Sequence, residues 1–309
     1  MKRLFILLII ACTATMAMSA CAAPPAAAPT SAPPSAPPSA PQPAQPTSAP
    51  VSSEKDLLDI ILERGVMRVS TDANYAPQSY FDEKTKTWTG FDIEVAYEVG
   101  RRLGVKVEFV TPDWSAVTAG NWAGRWDVSI GSMTITPERQ KVLDFTPPYY
   151  YTAGQFGVRA DLKESIKGLD DLEGKTVCVG EATVYEQYLN GTLDIEGEVL
   201  PPPKDVKVAT VKTDLECIQS MQSGRKDYDA VLTASNVLAD AIKKGAPVVA
   251  IGSTVFADRV GISIDKAARP NAKFLAALSK IVEDMHADGT LSAISKKYYD
   301  GFDLTKLTK

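Results

Sequence analysis

Among the 309 residues of this chain, those between positions 126 and 151, WDVSIGSMTITPERQKVLDFTPPYYY, have types and spacing suited to holding a small anion. Trp126-Asp127-Val128-Ser129-Ile130 alternates like a strand, and Gly131 is expected to stop it. Ser132 and Thr134 then offer hydroxyls and backbone N–H groups just past the strand's carboxyl end, where ligands gather in α/β folds. Thr136-Pro137-Glu138 reads as a helix start, with an N-cap hydroxyl, proline at the first helical position and an acid in the first turn. Arg139 breaks that pattern, because a cation in the first turn opposes the helix dipole. It makes sense if an anion sits there, gripped by the guanidinium fork and the free helix N–H groups. An exposed arginine on a surface helix is the plain alternative, and the hydroxyls upstream weigh against it.

Other chemistry is thinly represented. His286 is the only histidine and sits in a helical pattern near the C-terminus, where it reads as a surface residue. A histidine-based triad and a Cys/His metal site are therefore excluded, and neither metal nor cofactor is expected. The net charge is −5, with both signs interspersed, so nothing points to nucleic acid.

The elements that position these residues alternate between strand and helix, which argues α/β layers. Residues 56–65 read as a short amphipathic helix ending at glycine, and 67–70 as a strand entering the loop Thr71–Pro77. Ile93, Ala96, Val99 and Leu103 recur at helical spacing, with Asp92 as the natural N-cap and Gly104 as the stop. This helix reads as architecture and supplies no site residue. Residues 105–110 form the next strand, leading to the loop Thr111-Pro112-Asp113-Trp114. Further strands are read at 149–154, 175–180, 206–211, 228–232, 247–251 and 261–265, and helices at 181–186, 213–224, 271–288 and 290–299. Cys178 falls on a strand and Cys217 on a helix whose apolar face (Leu215, Ile218, Met221) should pack on that sheet. A disulfide between them is expected; two buried free thiols are the alternative.

Three stretches resemble one family. SMTITPER followed by LDFTPPYY, GFDIEVAYEVGRRLG at 90–104 and TDANYAPQSY at 71–80 are similar to the signatures of extracellular solute-binding proteins of family 3, the polar amino-acid class that feeds ABC importers. The resemblance covers about residues 54–305, with the motifs in the family's order. It implies a two-lobed periplasmic-binding-protein fold of type II with two crossing hinge strands, one lobe from 54–152 plus 253–309 and the other from 153–252. It also implies roles. Asp72 would face the ligand's polar end, and Tyr75 and Trp114 would sandwich its carbon skeleton. Ser132, Thr134 and Arg139 would take its carboxylate, with Thr183 and the Val184 N–H closing on it from the second lobe. On the residues alone, Asp72 could equally form a turn, and Tyr75 a lid over the core. The family commonly has an amine-binding aspartate where this chain has Ala234, so Ala234→Asp is expected to strengthen amino-acid binding. With Ala234 there, another acid such as Asp72 or Glu181 takes over the ammonium, the Tyr75–Trp114 pair holds it, or the natural ligand lacks an α-ammonium.

The N-terminus supplies an address. Met1-Lys2-Arg3 and the apolar run to residue 18 read as a secretory signal, and Met18-Ser19-Ala20-Cys21 resembles a lipobox that would make Cys21 the lipidated first residue. Plain cleavage near Ala20 or Ala22, or a lipobox at Cys12, are the alternatives. Residues 22–53 are almost wholly Ala, Pro, Ser, Thr and Gln and hold eleven of the 21 prolines, which suits a disordered tether. The expected protein is an exported, membrane-anchored monomer, periplasmic or on the cell surface. It captures a small carboxylate-bearing solute, most simply an amino acid, and hands it to a membrane permease. An enzyme on the same scaffold, dehydratase-like, and a tethered sensory module are the rival readings.

Overall fold

The computed structural model describes residues 54–267 and 269–306; the signal, Cys21 and the tether lie outside them. Helix α1 (Leu57–Arg64) is capped by Asp56, whose carboxylate accepts the Leu58 N–H at 2.9 Å, and it ends at Gly65 in the left-handed conformation. Strand β1 (Val66–Ser70) follows, and then a small sheet of β2 (Asn74–Tyr75), β3 (Ser79–Asp82) and β4 (Thr87–Thr89). Helix α2 (Phe91–Leu103) does not use Asp92 as its cap. Gly90 holds that place at φ 131°, and a Cβ there would lie 2.2 Å from the Gln78 carbonyl oxygen, so only glycine lets the helix enter. Asp92 is thereby drawn inside the first turn and fully buried.

The first half continues with β5 (Lys106–Val110), α3 (Trp114–Thr118), β6 (Val128–Thr134) and the short β7 (Leu143–Phe145). Gly131 does not stop β6, which runs on to Thr134 because a distant strand pairs with Met133 and Thr134. The helix expected after Thr136 is a single 3-10 turn, Arg139–Lys141, cut short as the chain turns into β7.

The second half holds β8 (Tyr150–Arg159), β9 (Thr176–Gly180), α4 (Val184–Leu189), β10 (Lys207–Val211), α5 (Asp214–Gln222), β11 (Ala230–Ala234) and α6 (Ser235–Lys243). Then come β12 (Val248–Asp265), α7 (Ala272–Ala287) and α8 (Thr290–Tyr298). Helix α6 was not anticipated from the sequence. The strands expected at 247–251 and 261–265 are one continuous strand of 18 residues.

The large sheet has the order β10-β9-β11-β8-β12-β6-β1-β5, with β7 also on β12. Parallel β1 sits between β5 and β6, and β9 sits parallel between β10 and β11. Antiparallel β8 and β12 run through the middle and belong to both halves. Two cores flank them. One gathers Met67, Phe91, Ile130, Tyr149, Ile262, Phe274 and Met285 from both ends of the chain. The other gathers Phe156, Val177, Tyr188, Leu232 and Phe256. Each fully buried side chain of this size stabilises its lobe by about 1.5–3 kcal/mol relative to exposure.

Cys178 and Cys217 form the expected disulfide, with Cα atoms 5.8 Å apart and both side chains buried among Ile218, Met221 and Val231. Closing a loop with a sequence separation of 39 should add about 3–4 kcal/mol in the chain-entropy model. Reduction is therefore expected to lower the thermal midpoint by roughly 6–15 °C. Peptide mapping after alkylation of the oxidised, denatured protein should find both cysteines unmodified; two alkylated thiols would mean that the bond does not form.

Candidate ligand-binding site

Five chain segments at strand ends meet around one cavity of about 60 Å³, the room of roughly four to six waters. Asp72 follows β1, Tyr75 lies on β2, Trp114 opens α3 after β5, and Ser132 and Thr134 end β6, with Arg139 just beyond. From the other half, Thr183 and Val184 open α4 after β9. All eight residues expected to contact ligand line this cavity. It lies outside the carboxyl ends of the parallel strands, where open α/β sheets concentrate their loops.

Arg139 is 4% exposed. Its Nη1 donates to the Thr134 carbonyl at 3.0 Å, its Nη2 to the Ala182 carbonyl of the opposite wall at 3.0 Å, and its guanidinium lies 5.5 Å from the Trp114 ring centre. The Trp114 indole N–H also donates to the Ala182 carbonyl, at 3.2 Å. Burial pulls the Arg139 guanidinium down to about 10, against the raising pull of Asp258 and Glu138. It remains charged at neutral pH. Asp258, on β12, is buried beside it, with neither oxygen hydrogen-bonded among the described residues, and burial pushes its carboxyl up to about 7 despite the arginine. Sequence reasoning passed over Asp258, since an acid within a strand carries no local signal.

The hydroxyls are less free than expected. Ser132 Oγ donates to Asp92 at 2.7 Å and accepts from the Tyr150 hydroxyl at 2.7 Å. Thr183 Oγ1 caps α4, accepting the Glu186 N–H at 3.2 Å and donating to the Gly180 carbonyl at 2.7 Å. The Val184 N–H is one that no carbonyl within α4 can accept. Asp72 combines both readings. Its Oδ1 accepts the Asn74 N–H at 2.7 Å in a turn while the residue faces the cavity, and burial raises its carboxyl.

Ala234 is not part of the cavity. It is 1% exposed, pairs with Gly154 on β8 and packs in the second core. The expectation that Ala234→Asp improves binding is therefore corrected. An unpaired carboxylate there would be desolvated, and the substitution should lower the melting temperature by about 5–10 °C without adding affinity, as a thermal melt with and without amino acids can check. Glu181 is exposed and does not line the cavity. The acid that does face it from the second half is Asp214, the first residue of α5, which is 3% exposed. It accepts a hydrogen bond from the Thr233 hydroxyl and lies 3.4 Å from the Tyr75 hydroxyl. Burial pushes its carboxyl up to about 6. The available signal was positional: Thr213-Asp214 follows a strand as Thr183-Val184 does, so an acid there belongs at the same cleft.

A second chamber of about 180 Å³ shares Asp72, Trp114, Gly131, Lys212 and Thr213 with the first. Asp113 and Glu216 also line it, and Ser70, Thr71 and Thr213 have buried hydroxyls with no hydrogen-bond partner among the described residues.

Residues 67–301 match the bacterial extracellular solute-binding proteins, family 3. The chain is 32% identical over 255 residues to the L-cystine-binding protein of Escherichia coli strain K12, covering 82% of this chain and 90% of that protein. It is 30% identical over 261 residues to the L-cystine-binding protein of Bacillus subtilis strain 168, covering 82% and 88%. Among solved structures, an ancestral arginine-binding protein bound to arginine aligns with a TM-score of 0.66 at 34% identity, covering 76% of this chain and 99% of the other. An ancestral amino acid-binding protein, a precursor of cyclohexadienyl dehydratase, aligns at 0.67 and 33%, covering 79% and 100%. The chain belongs to the bacterial extracellular solute-binding proteins of family 3, with their two-lobed type II fold.

Proposed function

We propose that the solute this binding protein captures for its ABC importer is a free α-amino acid, held whole between the lobes, with a polar side chain reaching the second chamber. The observation that carries this reading is a buried cation and a buried anion on facing walls of one cavity, Arg139 from the first half and Asp214 from the second. A zwitterion answers both charges at once, and a ligand with only one of the two groups leaves the other uncompensated. Thr134 and the Val184 N–H would support the carboxylate. Tyr75 and Trp114 would cover the carbon skeleton, each Å² of apolar area contributing about 25 cal/mol. Asp72, Asp113 and Glu216 against the single Lys212 favour a donor-rich or cationic far end. The relatives that bind L-cystine and the neighbour bound to arginine are in keeping with a long polar side chain.

Capture would close a hinge where β8 and β12 pass between the cores, dividing the chain near residues 152 and 253. A ligand touching both walls stabilises the closed state by its differential affinity. Cross-cleft bonds such as Gln187 to Glu138 at 3.0 Å and Lys212 to Asp113 at 3.3 Å would add little individually. We further propose that Cys21 carries a lipid and that residues 22–53 act as the tether between the exported domain and the membrane.

A thermal-shift panel tests the ligand class. At a hundred times its dissociation constant, a cognate amino acid should add about 2.7 kcal/mol, a rise of roughly 5–11 °C. Equal stabilisation by sugars or by carboxylic acids without an α-ammonium would overturn it. The likeness to a dehydratase precursor, together with acids held near 6 and 7 by burial, motivates an enzymatic alternative. Recovery of the bound amino acid unchanged after prolonged incubation separates the two, since turnover predicts a product of lower mass.

A further inference from the structure

Helix α2 carries a buried acid that its architectural role does not require. Asp92 is 0% exposed, and what acts on its carboxyl besides burial is two hydrogen bonds and no cation among the described residues. Burial pushes its carboxyl up to about 7, offset by two hydrogen bonds and by its place in the first turn of a 13-residue helix, where the dipole favours an anion. Those two bonds lead to the cavity wall. Its Oδ2 accepts from Ser132 Oγ at 2.7 Å, and its Oδ1 accepts from the Tyr149 hydroxyl at 2.7 Å. The Tyr149 oxygen in turn accepts the Ser132 N–H at 3.2 Å, and the Tyr150 hydroxyl donates to Ser132 Oγ at 2.7 Å. Ser132 thus has its N–H and both capacities of its hydroxyl engaged behind the wall.

That engagement matters because Ser132 has a left-handed backbone, φ 59°, which costs a non-glycine residue about 1–2 kcal/mol. Three hydrogen bonds converging on one residue can hold it there. Two of them depend on Asp92, one directly and one through Tyr149, whose own proton Asp92 accepts; the third is donated by Tyr150. The other titratable groups facing this cluster are Tyr149, Tyr150 and Tyr299, all pushed well above 10 by burial, so they stay neutral donors.

We infer that Asp92 is a positioning residue of the ligand site: by accepting from Ser132 and Tyr149 together, it fixes the Gly131–Thr134 wall in the shape that receives the ligand. This rests on the reading of the cavity as an amino-acid site. Asparagine is nearly isosteric but presents an amide donor at one position where Asp92 accepts, so it cannot satisfy both hydroxyls in their present sense. The same atoms also explain why a sequence stretch that looks like helix-start punctuation can govern affinity.

A double-mutant cycle on the full-length protein tests it, with dissociation constants measured by calorimetry for the amino acid that stabilises wild type most. Asp92→Asn should weaken binding about tenfold or more, and Ser132→Ala by a similar factor. In the double mutant, Asp92→Asn should cost clearly less than it does in wild type, because part of the effect of Asp92 passes through that hydroxyl and the rest through Tyr149 and the Ser132 N–H. Losses that multiply in the double mutant, or wild-type affinity in Asp92→Asn, overturn the inference. A structural role alone would lower the melting temperature without this coupling. Should Asp92→Asn fail to fold, the cycle of Tyr149→Phe with Ser132→Ala gives the same decision. Failure of the amino-acid reading itself is visible separately, as a wild-type protein that binds no amino acid in the same titration.

Discussion

Replacing Arg139 with alanine is expected to weaken binding of the cognate amino acid at least a hundredfold while the protein stays folded. The guanidinium is buried, fixed by carbonyls on both walls and backed by the Trp114 ring, so its direction is set before ligand arrives. Removing one partner of a buried ion pair costs about 3–5 kcal/mol, which converts to a factor of a hundred or more. Arg139→Lys keeps the charge but loses the planar fork, and should still bind at least tenfold more weakly. The fold should survive because neither core contains Arg139. Calorimetric titration alongside a thermal melt checks both halves; near-wild-type affinity in Arg139→Ala would remove the carboxylate end of the site.

Asp214→Asn is the counterpart, and here charge selectivity is the signature. Wild type should prefer an α-amino acid over its α-hydroxy analogue at least a hundredfold, and the mutant should lose most of that preference. The pH dependence follows from the same group. Burial holds its carboxyl up to about 6, above the usual aspartate value. A ligand ammonium favours the charged form and lowers that value, so binding below about pH 6 must expel a proton. Affinity should therefore rise as pH goes from 5 to 7 and level off above. Asp258, held near 7, and Asp72 add titrations of their own, so the informative quantity is the difference between wild type and Asp214→Asn. A preference for amino acid over hydroxy acid that survives in Asp214→Asn would mean that the ammonium lies elsewhere.

The first lobe's side of this site was legible because it is built from local signals. Strand, short polar turn and an ill-placed arginine announce themselves within a dozen residues, and the same holds for the apolar spacing of helices α1, α2 and α7. What escaped depends on distant partners. Gly131 looked like a stop because nothing nearby shows that β12 will pair with the residues after it. Asp92 looked like a cap because the requirement for glycine at position 90 comes from the Gln78 carbonyl. Asp214 was passed over, and the resemblance put position 234 at the cleft, for a similar reason. Both follow patterns typical of cleft-facing turns, and only the packing of β11 against β8 shows that Ala234 turns inward while Asp214 faces the cavity. The disulfide was read correctly because strand and helix-face assignments alone bring Cys178 and Cys217 to the same sheet.

The central claim is that one cavity reads both ends of a zwitterion. Its most direct test is a calorimetric titration of wild-type protein with the amino acid that raises its melting temperature most, set beside two truncated forms of that compound. One lacks only the α-ammonium and the other only the α-carboxylate. The expected result is binding of the intact amino acid with each truncated form at least a hundredfold weaker, about 2.7 kcal/mol apiece. Either truncated form binding as tightly as the parent would contradict it, and would show which of Arg139 and Asp214 the ligand does not use.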